Sequence, residues 1–242
     1  MTWPEVGAYI AAGGGVILPT GSVEQHGPIG LIGTDAICAE AVAVEAARRM
    51  GVVVAPPLAY APAPFNTGFP GTVSLSEGLF EAMAHEVIGG LAAQGFRRVY
   101  VLNGHGANVA PLRAVAEEAP CPVRVESWWG LGPVATLRAE LYGHWEGMHA
   151  TPSEVAVTQA VTGIVHRAAG TAAEAPPDKL SPDFIAAHAG DRHGPPDAHR
   201  AAFPDGRVGS HSALASPEDG RRLFDCAVNA LVEDYGAFEG AC

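Results

Sequence analysis

The chain has little positive charge. Its 242 residues hold 14 lysines and arginines against 26 aspartates and glutamates, a formal charge of −12. The basic side chains form no stripe, which excludes an ordinary nucleic-acid surface. Cysteine is scarce as well: Cys38, Cys121, Cys226 and Cys242 are far apart and make no C-x-x-C pair. They read as reduced, mostly buried thiols of a cytoplasmic protein. No apolar run reaches the roughly 18 residues needed to span a bilayer. Met1 to Glu5 has neither the basic region nor the apolar stretch of a signal peptide, so none is expected. The partners expected are therefore neither nucleic acid nor membrane.

What is present is a core-forming composition. Apolar residues make up 48% and charged residues only 17%, which a disordered chain does not show. Three apolar runs, Val16–Pro19, Val52–Ala55 and Val99–Leu102, and the alternating Val123–Glu126 predict strands. Between them lie helical stretches. Thr2, Pro4 and Glu5 form a capping-box start, residues 35 to 50 end at Gly51, Ser76 opens a helix closed by Gly95, and residues 109 to 118 make another. Pro152 starts a further helix, and Ser216-Pro217 caps a last one running to about Tyr235. Residues 58 to 74 are a long Pro- and Gly-rich loop, and from Thr171 to Val208 only short helical pieces are expected. Alternating strands and helices predict an α/β fold, three-layered α/β/α with a mainly parallel central sheet, as one domain over residues 1–242.

Two segments stand out. Gly21-Ser22-Val23-Glu24-Gln25-His26-Gly27-Pro28, with Asp35 nine residues beyond His26, follows the first strand. Asn103-Gly104-His105-Gly106-Ala107-Asn108 follows the third. In layered α/β folds ligands gather beyond the carboxyl ends of strands, so Glu24, His26, Asp35 and His105 are expected to converge. Carboxylate and imidazole are the groups that hold a divalent ion and activate water. Each also has a plainer reading: Glu24 as a surface residue or cap, the histidines as turn residues, Asp35 as a helix-start carboxylate favoured by the dipole. Neither glycine loop has the G-x-x-x-x-G-K-[ST] pattern of a phosphate cradle.

With Gly68-Phe69-Pro70-Gly71-Thr72-Val73-Ser74, His149-Ala150 and Glu154, and the weaker Gly206-Arg207-Val208-Gly209 tail, these motifs make the chain resemble the creatininase (creatinine amidohydrolase) family. The resemblance implies an α/β/α amidohydrolase of a small cyclic or linear amide, with two divalent ions (Zn, Mn or Fe) and commonly a homo-oligomer, a hexamer. It implies that Glu24, His26, Asp35 and His105 are ligands, Asp35 bridging, and that a hydroxide between the ions attacks the amide. It implies His149 as the catalytic proton shuttle, and Trp145 as an aromatic wall over the substrate. Trp129, Gly104 and Ser74 are further candidates for substrate contact. Creatinine-hydrolysing members carry a glutamate ligand where this chain has Ala107, so Glu154 is the candidate substitute. The alternatives are a helix-start role for Glu154, a packing role for His149 and core positions for the tryptophans.

A deformylase or a peptide-trimming enzyme of cofactor or redox-peptide biosynthesis fits the same residues. So does, in another class, a non-catalytic metal-binding assembly protein. A nucleotide-dependent oxidoreductase has only the α/β pattern behind it. The spacing His188, His193, His199 matches no tight metal site and reads as solvated loop.

Overall fold

A computed structural model describes residues 1–241. Four strands, β1 (Val16–Thr20), β2 (Val53–Val54), β3 (Val99–Asn103) and β4 (Val123–Ser127), form one sheet in the order β2-β1-β3-β4, parallel throughout. β1 and β3 are fully buried central strands, which is why their apolar runs do not alternate with polar residues.

Successive side chains of a strand point to opposite faces, and the two faces collect different helices. Ile17, Tyr100 and Leu102 meet the apolar stripes of α2 (Thr34–Met50) and α9 (Pro217–Gly240), with α5 (Gly132–Tyr142) and α6 (Pro152–Thr162) alongside. Val16, Leu18, Val99 and Val101 meet α3 (Glu77–Ala93) and α4 (Val109–Glu118), with α1 (Trp3–Ala11) beside them. The result is three layers, helix, sheet and helix. Removing a fully buried anchor such as Phe80 or Leu231 would cost about 3–5 kcal/mol.

The helix boundaries follow local signals. Glu5 accepts the Thr2 backbone N–H in a capping box. Ser76 and Ser216 accept from Leu79 and Asp219, and Gly51 leaves α2 in the left-handed conformation at φ 71°. α5 is a helix that the sequence pattern does not announce, because it buries only Val134 and Tyr142 and so carries almost no apolar stripe. α9 runs five residues past Tyr235, to Gly240. Beyond Thr171 come a short 3-10 turn, α7 (Pro182–Ala187) and α8 (Pro196–Ala202). Cys38 is buried and Cys121 and Cys226 half-buried, all free thiols, and Cys242 lies outside the described residues. No described helix is long and apolar enough to cross a membrane.

Candidate metal centre

The carboxyl ends of β1, β3 and β4 finish level, at Thr20, Asn103 and Ser127. These three make a polar row at the carboxyl end of the sheet. Thr20 donates to Asn103 Oδ1 at 3.0 Å, and Asn103 Nδ2 donates to Ser127 Oγ at 3.1 Å and to the His105 carbonyl at 2.7 Å. The backbone N–H of His105 returns to Asn103 Oδ1. Asn103 therefore fixes the start of the second glycine loop. The N-terminus of α2 comes down between the two loops, and Gly21 and Gly104 touch it from either side. A Cβ on Gly21 would overlap the Ala36 backbone, and one on Gly104 the Asp35 carbonyl oxygen.

Glu24, His26, Asp35, His105 and His149 are all buried, none more than 5% exposed. Asp35 lies at their centre. Its Oδ1 is 2.9 Å from His26 Nε2, and its Oδ2 is 3.1 Å from His105 Nδ1. Glu24 Oε1 lies 3.2 Å from His105 Nδ1 and 3.5 Å from His149 Nδ1, while Asn66 donates to Glu24 Oε2 at 2.9 Å. Glu154, whose backbone N–H is capped by Thr151, places Oε1 3.8 Å from His26 Nε2. Two donor sets share Asp35: Glu24 with His105, and His26 with Glu154. A third set joins Glu24, His26 and His149. Glu24 Oε1 and Asp35 Oδ2 are buried and meet the His105 imidazole without a well-aligned hydrogen bond, an arrangement open to replacement of that proton by a cation.

The three imidazoles are held alike. His26 Nδ1 lies 3.2 Å from the Glu24 carbonyl, His105 Nε2 2.7 Å from the Pro62 carbonyl, and His149 Nε2 2.8 Å from the Gln25 carbonyl. A carbonyl can only accept, so on His26 and His105 that nitrogen carries hydrogen and the other faces the carboxylates, whereas His149 Nε2 also meets the side-chain amide nitrogens of Gln25 at 3.1 Å and Asn66 at 3.2 Å.

Charge follows from this geometry. Burial alone would depress His26, but Asp35 and Glu154 outweigh it and raise its pKa to about 10. Burial likewise opposes His105, and Glu24 and Asp35 raise it well above the ordinary imidazole range. Burial would raise Asp35 and Glu24, and the facing imidazoles hold both below the usual carboxylate value. Glu154 is pushed up by burial to about 7, against the pull of His26. His149 is different. Burial lowers it to about 3, and Glu24 does not compensate. In the metal-free chain His26 and His105 hold the protons that a cation would displace, while His149 stays neutral.

Beside the carboxylates opens a cavity of about 220 Å³. Gly104, Trp129 and His149 line it as expected, and Trp128 joins them. Ser74 does not line it: its hydroxyl accepts the Ala63 N–H and donates to the Leu75 carbonyl, tying the long loop together. Trp145 also stands away from the cavity, its ring 5.7 Å from that of His211 and under the Lys179 ammonium. Two charged lining residues escaped the sequence reading. Arg138, on the unannounced α5, donates to the Trp129 carbonyl and pairs with Glu146 at 2.7 Å. Asp191, from the loop between α7 and α8, reaches His105 at 3.8 Å and is raised by burial to about 6. No spacing signals either of them. His188 stacks on Phe184, and His193 and His199 pack against Phe65, so His199 is buried rather than solvated.

The family model for creatininase, described as creatinine amidohydrolase, matches residues 1–235. The chain belongs to the creatininase family. A mycofactocin precursor peptide peptidase from Mycolicibacterium smegmatis is 35% identical over 158 residues, which cover 61% of this chain and 62% of that protein. The match thus spans about three fifths of the relative's length. A crystal structure of creatinine amidohydrolase (creatininase) superposes with a TM-score of 0.80 at 25% identity, covering 98% of this chain and 95% of the other. A structure described as creatininase Mn superposes at 0.77 with 24% identity, over 97% and 95% of the two chains. The three-layer creatininase fold is therefore that of this chain.

Proposed function

We propose that this creatininase-family chain is a divalent-metal-dependent hydrolase of amide C–N bonds. The observation that carries the reading is the common arrangement of the three imidazoles. Each is anchored through one nitrogen by a backbone carbonyl and turns the other toward carboxylate oxygens, two of which are buried without a well-aligned hydrogen bond. Such a shell suits cations better than empty space. Glu24, Asp35 and His105 would hold one ion, and His26, Asp35 and Glu154 the other, with Asp35 common to both. Mixed nitrogen and oxygen donors suit Zn, Mn or Fe. Ions bound there would polarise the substrate carbonyl and lower the pKa of an attacking water.

The chain's own residues supply the rest. His149 stands within the site, its Nδ1 3.5 Å from Glu24 Oε1, where an imidazole would pass a proton to the leaving nitrogen. The Gln25 carbonyl and the side-chain amides of Gln25 and Asn66 orient its other nitrogen, Nε2. Trp128 and Trp129 wall the cavity against water, and Arg138 puts a guanidinium in its lining.

A second reading narrows the substrate to a peptide trimmed at a terminal bond. It rests on the 35% identity to a mycofactocin precursor peptide peptidase. The test is to load the protein with Mn²⁺ or Zn²⁺ and assay creatinine, a formylamino-pyrimidine and short peptides by mass spectrometry. Hydrolysis that chelation abolishes and metal restores is the expected result. Tight metal binding without hydrolysis across the panel would favour a non-catalytic metal-binding protein, and no metal binding would end the proposal.

A further inference from the structure

We propose that Asp191 is a ligand of the ion held by Glu24, Asp35 and His105. The inference rests on the metal reading above and adds a donor from a distant part of the chain. Asp191 Oδ2 lies 3.8 Å from His105 Nδ1, the nitrogen that faces Glu24 Oε1 at 3.2 Å and Asp35 Oδ2 at 3.1 Å. Donor atoms about 3.2–3.5 Å apart are what a shell with metal–ligand distances near 2.0–2.2 Å requires. The Asp191 oxygens stand outside the compact set of Glu24, Asp35 and His105, so ligation requires the loop to carry Asp191 inward from its contact with His105. The Asp191 side chain is only 11% exposed and lines the same cavity as the other three.

The second glycine loop is shaped to admit it. A Cβ on Gly106 would overlap the Asp191 carboxylate, so the bare backbone at 106 is the space into which that carboxylate fits. Position 107 is alanine and offers no donor of its own, while its backbone N–H faces the Asp191 carboxylate. Independently of this acidic group, Glu24 Oε1 and Asp35 Oδ2 are wholly buried, make no well-aligned hydrogen bond, and converge within 3.2 Å of the same His105 Nδ1. Charge agrees. Glu24, Asp35, Glu154 and Asp191 together carry four negative charges when ionised, which two divalent cations neutralise.

Asp191 adopts φ 57°, so its replacement must respect a left-handed backbone. Asn tolerates that region and Gly is free there. The experiment is Asp191→Asn and Asp191→Gly, each prepared metal-free and titrated with Mn²⁺ and with Zn²⁺ by calorimetry, with bound metal counted by mass spectrometry after dialysis. Both variants should fold as the parent does, judged by circular dichroism without metal. Both should bind one ion about 10–100-fold more weakly and leave the other unchanged. Parent-like affinity for both ions in either folded variant overturns the assignment of Asp191 alone. A parent chain that takes up no metal overturns the proposed function instead, so the two failures are distinct.

Discussion

Gly104 sits so close to Asp35 that a Cβ would collide with the Asp35 backbone carbonyl oxygen. The end of β3 and the start of α2 are thereby locked together, and His105 and Asp35 are held at 3.1 Å. Gly104→Ala must push them apart. It should cost about 1–3 kcal/mol of stability, as overpacking does, and should weaken metal uptake. Thermal melts read the first effect and metal titration the second. Unchanged values for both would mean that the close approach is not needed.

Asp35 is the residue common to both donor sets. Asp35→Asn keeps its shape and removes a negative charge. The variant should lose at least about 100-fold in affinity for both ions, not one, and its amide hydrolysis should vanish with the metal. Glu154→Gln should weaken only the ion near His26. If Asp35→Asn lost a single ion, the shared role would be wrong.

His149 stands in another relation to the site. It stays neutral where His26 and His105 do not. His149→Gln should lower turnover about 10²–10⁴-fold while the metal content stays near that of the parent. Loss of metal along with activity would make His149 a ligand rather than a proton carrier, as its place in a donor set with Glu24 and His26 allows.

The raised pKa of His26 sets a pH dependence. The folded chain keeps this proton up to about pH 10, whereas an unfolded histidine releases it near 6.5. The resulting stability is complete below the lower value and is lost as pH rises through the upper one. The metal-free protein should therefore melt at a lower temperature near pH 10 than near pH 6.5. Metal binding at neutral pH must displace that proton, so affinity should tighten as pH rises. Calorimetry in two buffers of different ionisation enthalpy counts the protons released. A release of none at pH 7 would contradict the raised value.

The strands, most helix limits and the two glycine loops were legible because they are written in local chemistry. Val16–Thr20 and Val99–Asn103 are apolar runs followed by glycine, and Ser76, Gly51 and Ser216 are caps that act within a few residues. Glu24, His26, Asp35 and His105 could be named as a set because parallel strands deliver their carboxyl ends to one edge. The Ser74 and Trp145 expectations were weaker, since nothing in a sequence says whether a side chain turns toward a cavity or away from it. The structure occupies Ser74 with its own loop and packs Trp145 against His144.

By itself, then, the sequence determined the layers, the loops and the chemical type of the donors, all consequences of forces between near neighbours in the chain. Only the tertiary structure decided which nitrogen of each histidine faces the carboxylates and which distant residues close the site. Arg138 and Asp191 reach the cavity through packing of helices and loops that share no local pattern with β1 or β3. Proximity across the fold is set by the sum of those packings, and no single segment carries it.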